Sequence, residues 1–350
     1  MIDLTRSTAP VPAVHGAERD PGTTWRKSPE PAIDTPPDDD LRPAADARWP
    51  REAARSGLCG SVSPRVVRLA DGTYRVYYTQ ILPREGKPTG ANDYGNATTR
   101  ILSAHSADGV TWKPEPGVRL SAAEGGAGDF RVVSSEVGPA ADGSGRLRMY
   151  YECCPGSQDV QNSIRSAVSD DGLEWEPEPG DRLLVSGSNI MAPRILFLDD
   201  GRLRMYVTQR GVGIVSAISA DGMTFEMEPG PRFPGDPSTF APDLVALPDG
   251  RYRMYLVASV SNRPAMQGGG QHLVTALSDD GLTWERDAEP VLSPGGTWDR
   301  AKSSEMCVFP LPAEASEAPH YGMVYEGCDG TTANARGVWR VAAATIVDGA

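Results

Sequence analysis

Short runs of alternating apolar and polar residues, four to eight long and broken by Asp-Gly pairs, recur from one end of the chain to the other. A period of two rich in Val, Tyr, Met and Leu fits strands with one buried face, and Asp-Gly supplies the positive φ of a tight hairpin. The element SADGVTWKPEPGVRL (106–120) returns as SDDGLEWEPEPGDRL (169–183), SADGMTFEMEPGPRF (219–233) and SDDGLTWERDAEPVL (278–292). A second element precedes each copy: LADGTYRVYYTQ (69–80), GRLRMYYECC (145–154), LDDGRLRMYVTQ (198–209) and LPDGRYRMYLVA (247–258), with a degenerate fifth, HYGMVYEGC (320–328). Each unit reads strand A, turn, strand B, variable loop, strand C, turn, strand D. Four antiparallel strands per repeat of this length make a propeller blade, and the count is five.

The fifth unit lacks a D strand. The segment GTTWRKSPEPAI (22–33) matches the D pattern, with Trp25 in the place of Trp284. The expectation is an all-β, five-bladed β-propeller over 21–350 whose last blade is closed by residues 22–33 pairing with Ala342–Ile346, which removes an exposed sheet edge. Residues 1–20, rich in Pro, Ala and charge, are expected to be a disordered tail. The stretch RPAADARWPREAARSG (42–57) is expected to form a short helix.

Charge and composition narrow the function classes. The chain has 34 basic and 47 acidic residues, a net charge of −13. It offers no basic footprint for nucleic acid or an anionic membrane surface. No apolar run reaches transmembrane length and the N-terminus has no continuous apolar core, which points to a cytoplasmic protein. The five cysteines (Cys59, Cys153, Cys154, Cys307, Cys328) lack metal-ligand spacing and read as buried thiols. No phosphate-binding or dinucleotide motif occurs, so no cofactor is expected. No loop motif calls for a metal, although a hard cation among glutamates stays open. Nothing in the sequence sets the oligomeric state.

Strand polarity puts both hairpin turns on one face and the variable loops on the other, where sites are usually built. Aligning the A strands at that face makes Ser63, Glu136, Ala192, Ala241 and Glu305 equivalent, followed two residues on by Arg65, Gly138, Arg194, Asp243 and Cys307. Blades 2 and 5 share more. YYECC (150–154) and VYEGC (324–328) put Glu152 in register with Glu326. DFRVVSSE (129–136) and WDRAKSSE (298–305) send Asp129, Arg131, Asp299, Arg300 and Lys302 toward the same rim. Two readings stay open for the four glutamates: partners of buried arginines and backbone amides, or an acid/base pair, Glu136 and Glu305, tuned by Glu152 and Glu326. Asp243, Arg194, Arg131, Arg300, Asp129, Asp299, Arg65 and His272 are the expected substrate-binding residues around them. His272 follows the flexible GGGQ and reads equally as a loop residue. Cys59, Cys154 and Cys328 lie near the same face, and Asn92, Asp93, Tyr94 and Asn96 are further hydrogen-bonding candidates.

The combination of WD or DF, a Pro-containing A strand, DG, (Y/L)RMYY and S-x-DG-x-T-W-x-x-x-P resembles the five-bladed propellers of the arabinanase/levansucrase/invertase superfamily. The resemblance covers 22–350 and implies carboxylate-based glycoside chemistry on a small-molecule substrate. Glycosidases of that group carry an Asp in a "DP" of blade 1, an Asp in an "APD" of blade 2 and a Glu in blade 3. Here blade 1 has Ser63-Pro64, the "APD" is Ala241-Pro242-Asp243 in blade 4, and Glu136 falls in blade 2. The expected function is an enzyme acting on a sugar or sugar-like polyhydroxylated molecule. The alternatives are a repurposed lyase, isomerase or cyclase of natural-product biosynthesis, and a non-catalytic ligand-binding propeller.

Overall fold

The computed structural model describes residues 17, 19–55, 59–87, 95–259, 270–312, 321–330 and 337–346. Every element among them is a strand. A short β1 (Trp25–Lys27) is followed by β2 (Gly60–Arg68), β3 (Tyr74–Pro83), β4 (Ala97–Ser106), β5 (Lys113–Pro114) and β6 (Leu120–Ser121). Next come β7 (Arg131–Pro139), β8 (Leu147–Cys154), β9 (Ser163–Ser169) and β10 (Glu176–Pro177), then β11 (Ile190–Phe197), β12 (Leu203–Gln209), β13 (Gly213–Ser219) and β14 (Glu226–Met227). The chain continues with β15 (Phe240–Ala246), β16 (Tyr252–Ser259), β17 (Gln271–Ser278) and β18 (Glu285–Arg286), and ends with β19 (Lys302–Pro310), β20 (Tyr321–Cys328) and β21 (Trp339–Ile346). Pairing is antiparallel along β2-β3-β4-β5, β7-β8-β9-β10, β11-β12-β13-β14, β15-β16-β17-β18 and β19-β20-β21. β1 lies antiparallel on β21, with Trp25 opposite Ile346 and Lys27 opposite Ala344. Among the first strands of these sets, β2 packs on β7, β7 on β11, β11 on β15, β15 on β19, and β19 on β2.

The repeated letters account for these contacts. In each S-x-D-G turn the serine hydroxyl accepts the glycine N–H, as Ser169 does from Gly172, and the Asp carboxylate accepts the next two amides, as Asp171 does from Leu173 and Glu174. Gly172 sits at φ 74°, a conformation glycine adopts without strain. In three R-x-Y strands the arginine holds the glutamate of its own D segment, Arg75 with Glu115, Arg148 with Glu178 and Arg204 with Glu228, each through Nε at 2.8 Å, and in the fourth Arg253 holds Asp287 through Nη1 at 3.0 Å. The tyrosine two residues on reaches the next set, where Tyr77, Tyr150 and Tyr206 donate to the carbonyls of Gly172, Gly222 and Gly281. An aromatic ring from that next turn packs edge-on against each tyrosine: Trp175 on Tyr77, Phe225 on Tyr150 and Trp284 on Tyr206.

The N-terminal segment repeats this pattern with different residues. Tyr255 donates to the Gly22 carbonyl at 2.7 Å, Trp25 stands edge-on to Tyr255, and Arg253 pairs with Asp20 at 2.6 and 2.7 Å. Most of the tail expected over 1–20 lies outside the described residues. The part that is described is held, since Ala17 N–H donates to the Ala246 carbonyl and Asp20 binds Arg253. The helix expected over 42–57 is absent from its described part, which forms turns. Pro43 and Pro50 each remove a backbone donor and disfavour helix at the preceding residue, which outweighs the alanines around them.

Candidate active site

The A-strand level that faces the variable loops is marked by strained backbone. Ser63, Ser134, Ala192, Ala241 and Glu305 all have positive φ, between 30° and 52°, where the paired strand shifts register. Such a conformation costs a non-glycine residue on the order of 1–3 kcal/mol and concentrates at functional sites. The equivalent of Glu305 is therefore Ser134, two residues before Glu136. This corrects the sequence alignment of the SSE triplets, because the bulge of β19 leaves out one residue where that of β7 leaves out two.

Glu136 belongs instead to the level below, together with Arg65, Arg194, Asp243 and Cys307; Gly138 does not. There Arg65 binds both oxygens of Glu136, with Nε–Oε2 at 2.7 Å and Nη2–Oε1 at 3.0 Å, and reaches Asp243 at 2.5 Å. Arg194 approaches Asp243 at 3.7 Å and Glu136 at 4.0 Å. The Val308 N–H donates to Asp243 at 2.7 Å, and Arg65 lies 3.4 Å from the Cys307 sulfur. All of these side chains are buried. Burial pushes the Glu136 carboxyl up, against Arg65 and Arg194, which pull it down. Two guanidinium groups matched by two carboxyl groups form a balanced, desolvated plug. Glu136, Arg65, Arg194 and Asp243 are thus engaged with one another, and the expected pairing of Glu136 with Glu305 gives way to this arrangement.

The other three glutamates converge at the upper level. Glu152 and Glu326 occupy matched places on β8 and β20, opposite Val133 and Ser304, the residues just before the strained positions. Burial first, and the neighbouring Glu305 carboxyl as well, push both up to about 7. Glu152 accepts from the Cys154 thiol at 3.0 Å and from Asn162 Nδ2 at 2.9 Å, with Arg131 nearby lowering its pKa. Glu326 accepts from Lys302 Nζ at 2.9 Å and from the Ser63 backbone N–H. Arg131 and Lys302 are themselves matched, each opposite a cysteine, Cys154 or Cys328. Glu305, half-buried and more open than the other two, accepts from the Ser134 hydroxyl at 3.2 Å, and Ser134 in turn lies 3.3 Å from Ser63 Oγ. Across β11 and β15 the half-buried Met191 and Phe240 take the places of Val133 and Ser304.

The remaining candidates go elsewhere. Asp299 is buried and fully engaged by Lys27, Ser303, Tyr325 and the Gly296 N–H. Arg300 donates to the Asp329 carbonyl beside a separate cavity of about 450 Å³ also lined by Arg55. Asp129 is exposed and pairs with Arg84 at 3.3 Å. His272 shares a hydrogen bond with Ser293 at 2.9 Å, and burial lowers its pKa. Asn92, Asp93 and Tyr94 lie outside the described residues. The five cysteines are free and buried. No group of three His, Cys, Asp or Glu among the described residues is arranged to hold a metal ion. Sequence reading missed Ser134 and Asn162. The proline after the strained residue in Ser63-Pro64, Ala192-Pro193 and Ala241-Pro242 was a signal for the level, but β7 and β19 lack it.

No protein-family model and no curated protein sequence matches the chain. Solved structures do. A thermostable family-43 glycoside hydrolase aligns at 18% identity and TM-score 0.58 over 84% of this chain and 95% of its own. A family 117 glycoside hydrolase of the marine bacterium Zobellia galactanivorans aligns at 15% and 0.62 over 95% and 94%. An endo-arabinase from Bacteroides thetaiotaomicron aligns at 16% and 0.58 over 83% and 94%. The chain shares the fold of these β-propeller glycoside hydrolases.

Proposed function

We propose that the chain is a carbohydrate-active enzyme that cleaves a glycosidic bond with carboxyl groups at the mouth of a five-bladed propeller, closed by β1 on β21. The cyclic packing of β2, β7, β11, β15 and β19 supports the five-bladed reading. The use of Asp20, Gly22 and Trp25 in the manner of the internal turns supports the closure. One observation carries the chemistry: three carboxyl groups, Glu152, Glu305 and Glu326, meet at the strained level, and two are raised to about 7. A carboxyl group that keeps its proton near neutral pH is what protonation of a leaving oxygen requires.

Glu152, oriented by Asn162 and Arg131, or Glu326, oriented by Lys302 and the Ser63 N–H, serves as the general acid. Glu305 faces the anomeric carbon from the more open position, and the Ser63–Ser134 hydroxyl pair orients it. Met191 and Phe240 offer an apolar wall for the carbon face of a sugar ring. Carboxyl separations near ~5–5.5 Å in a ligand complex would mark retention, and ~6.5–9.5 Å inversion. The test is release of reducing sugar and aryl alcohol from a panel of aryl furanosides and pyranosides. Turnover of at least one, lost in Glu305→Gln, is expected; no turnover across the panel by folded protein overturns the reading. Ser63, standing where the resemblance implies an Asp, favours a second reading in which the same carboxyl groups shuttle protons in a lyase or isomerase. A product formed without uptake of water would select it.

A further inference from the structure

On the loop-bearing face, outward from Glu152, the β8–β9 connection, the β10–β11 connection and the turn after β12 enclose a second cavity of about 290 Å³. Six polar residues, Gln158, Asp159, Gln161, Ser188, Asn189 and Arg210, line it together with Gly187. The cavity is built from inside. Gln161 donates to the carbonyls of Val185 and Ser188 and accepts from the Gly187 N–H; Asn189 Nδ2 donates to the Gln158 carbonyl at 2.9 Å, and Arg210 Nη1 to the same oxygen at 3.0 Å. Other groups keep capacity among the described residues. The Gln158 side-chain amide and the Ser188 hydroxyl make no hydrogen bond, and Arg210 Nε and Nη2 donate to nothing. Asp159, exposed at the mouth, accepts from the Ser157 hydroxyl and from its own backbone N–H, with acceptor capacity left over.

We infer that this cavity is a second saccharide subsite, binding one neutral sugar unit of a longer substrate whose scissile bond lies at Glu152, Glu305 and Glu326. The inference rests on the reading above for its ligand class and adds where the chain of sugars runs. Three observations carry it. The open groups form an interleaved set of donors and acceptors, amide, hydroxyl, guanidinium and carboxylate, which matches vicinal hydroxyls that both give and take hydrogen bonds. The charges cancel: Asp159 opposes an anionic ligand and Arg210 a cationic one, so neither a phosphate nor an amine fits as well as a neutral polyol. The volume sits near the ~300 Å³ lower bound of small-molecule sites, enough for one ring.

The cavity is also joined to the carboxyl site through one residue. Asn162 donates its backbone N–H to Asn189 Oδ1 at 3.1 Å in the cavity wall and its side-chain Nδ2 to Glu152 Oε1 at 2.9 Å, and accepts the Ile190 N–H at 2.9 Å. Asn162 is thereby a positioning residue shared by both sites.

The test uses saturation-transfer NMR and titration with xylose, galactose and lactose as neutral probes. The proteins are the wild type, Gln158→Ala/Arg210→Ala, the cavity-filling Ser188→Trp, and Glu305→Gln, each checked for an unchanged melting temperature. At least one probe is expected to bind the wild type and Glu305→Gln alike, and to weaken about tenfold or more in both cavity variants. On aryl glycosides, the cavity variants should raise KM for a disaccharide and leave the monosaccharide unaffected, the mark of binding lost equally from ground and transition states. Binding unchanged in both cavity variants, binding lost only in Glu305→Gln, or no binding of any probe overturns the subsite. Probe binding at the rim in a protein that turns over no glycoside sinks the hydrolase reading and leaves the subsite standing.

Discussion

Glu136→Gln separates a structural glutamate from a catalytic one. The substitution keeps the shape of the side chain and removes one negative charge from a site in which Arg65 and Arg194 are balanced by Glu136 and Asp243. The amide also cannot accept from Arg65 at both of its ends, where the carboxyl group now takes bonds at 2.7 and 3.0 Å. Removing one member of a buried ion pair typically costs about 3–5 kcal/mol, because the partner charge stays desolvated. For a chain of 350 residues that corresponds to a fall in Tm of about 4–7 °C. The assay is a thermal melt followed by circular dichroism, combined with turnover measured well below both transitions. Activity should stay within about threefold of wild type, since Glu136 is buried below the strained level with Arg65 on both of its oxygens. A second substitution, Arg194→Gln, restores neutrality and should be less costly on the Glu136→Gln background than alone. An unchanged Tm with abolished turnover would refute the structural assignment.

Three further outcomes follow from the same geometry. Removal of residues 1–33 takes away β1, the Arg253–Asp20 pair and the Ile33–Val341 bridge, and should lower Tm by roughly 10 °C or more; unchanged melting would contradict closure by this segment. Glu152 and Glu326 hold protons in the folded state up to about 7 that the unfolded chain sheds above about 4.5, so their contribution to stability is full below about 4.5 and is lost as pH rises through 7. Melting scans across that window should show Tm falling with pH, less steeply in Glu152→Gln. Glu305→Gln should lower kcat on the best aryl glycoside by about 10²–10⁴, with Tm unchanged.

Much of the architecture was legible because it is written in repeated local chemistry. Asp-Gly turns, R-x-Y strands and the Glu of each D segment interact within a unit or with the next one, so each copy announces its own contacts. The likeness of Trp25 to Trp284 was legible for the same reason, since Trp25 stands edge-on to Tyr255 as Trp284 does to Tyr206. The matched Glu152 and Glu326 were legible because YYECC and VYEGC lie on regular strands without insertions. The A strands were not so transparent. A bulge adds a residue without any fixed letter, and the identical triplets Ser134-Ser135-Glu136 and Ser303-Ser304-Glu305 suggested an equivalence that a difference of one bulged residue destroys. The same slip hid Lys302 as the counterpart of Arg131, and hid that Arg65, Arg194 and Asp243 share one buried level with Glu136 and pair with it and with one another. Asp299 escaped because its partners, Lys27 and Tyr325, lie far along the chain.

The pH dependence of kcat/KM on an aryl glycoside, compared between wild type and Lys302→Met, tests most directly whether the raised carboxyl groups do the chemistry. Lys302 lowers the pKa of Glu326. With Glu326 as the acid, activity should fall as pH rises past about 7 in the wild type, and that limb should move to higher pH in Lys302→Met; Glu152→Gln should leave it in place. With Glu152 as the acid, the limb should instead respond to Arg131→Met. A limb that neither substitution moves would contradict the assignment of proton transfer to these two glutamates.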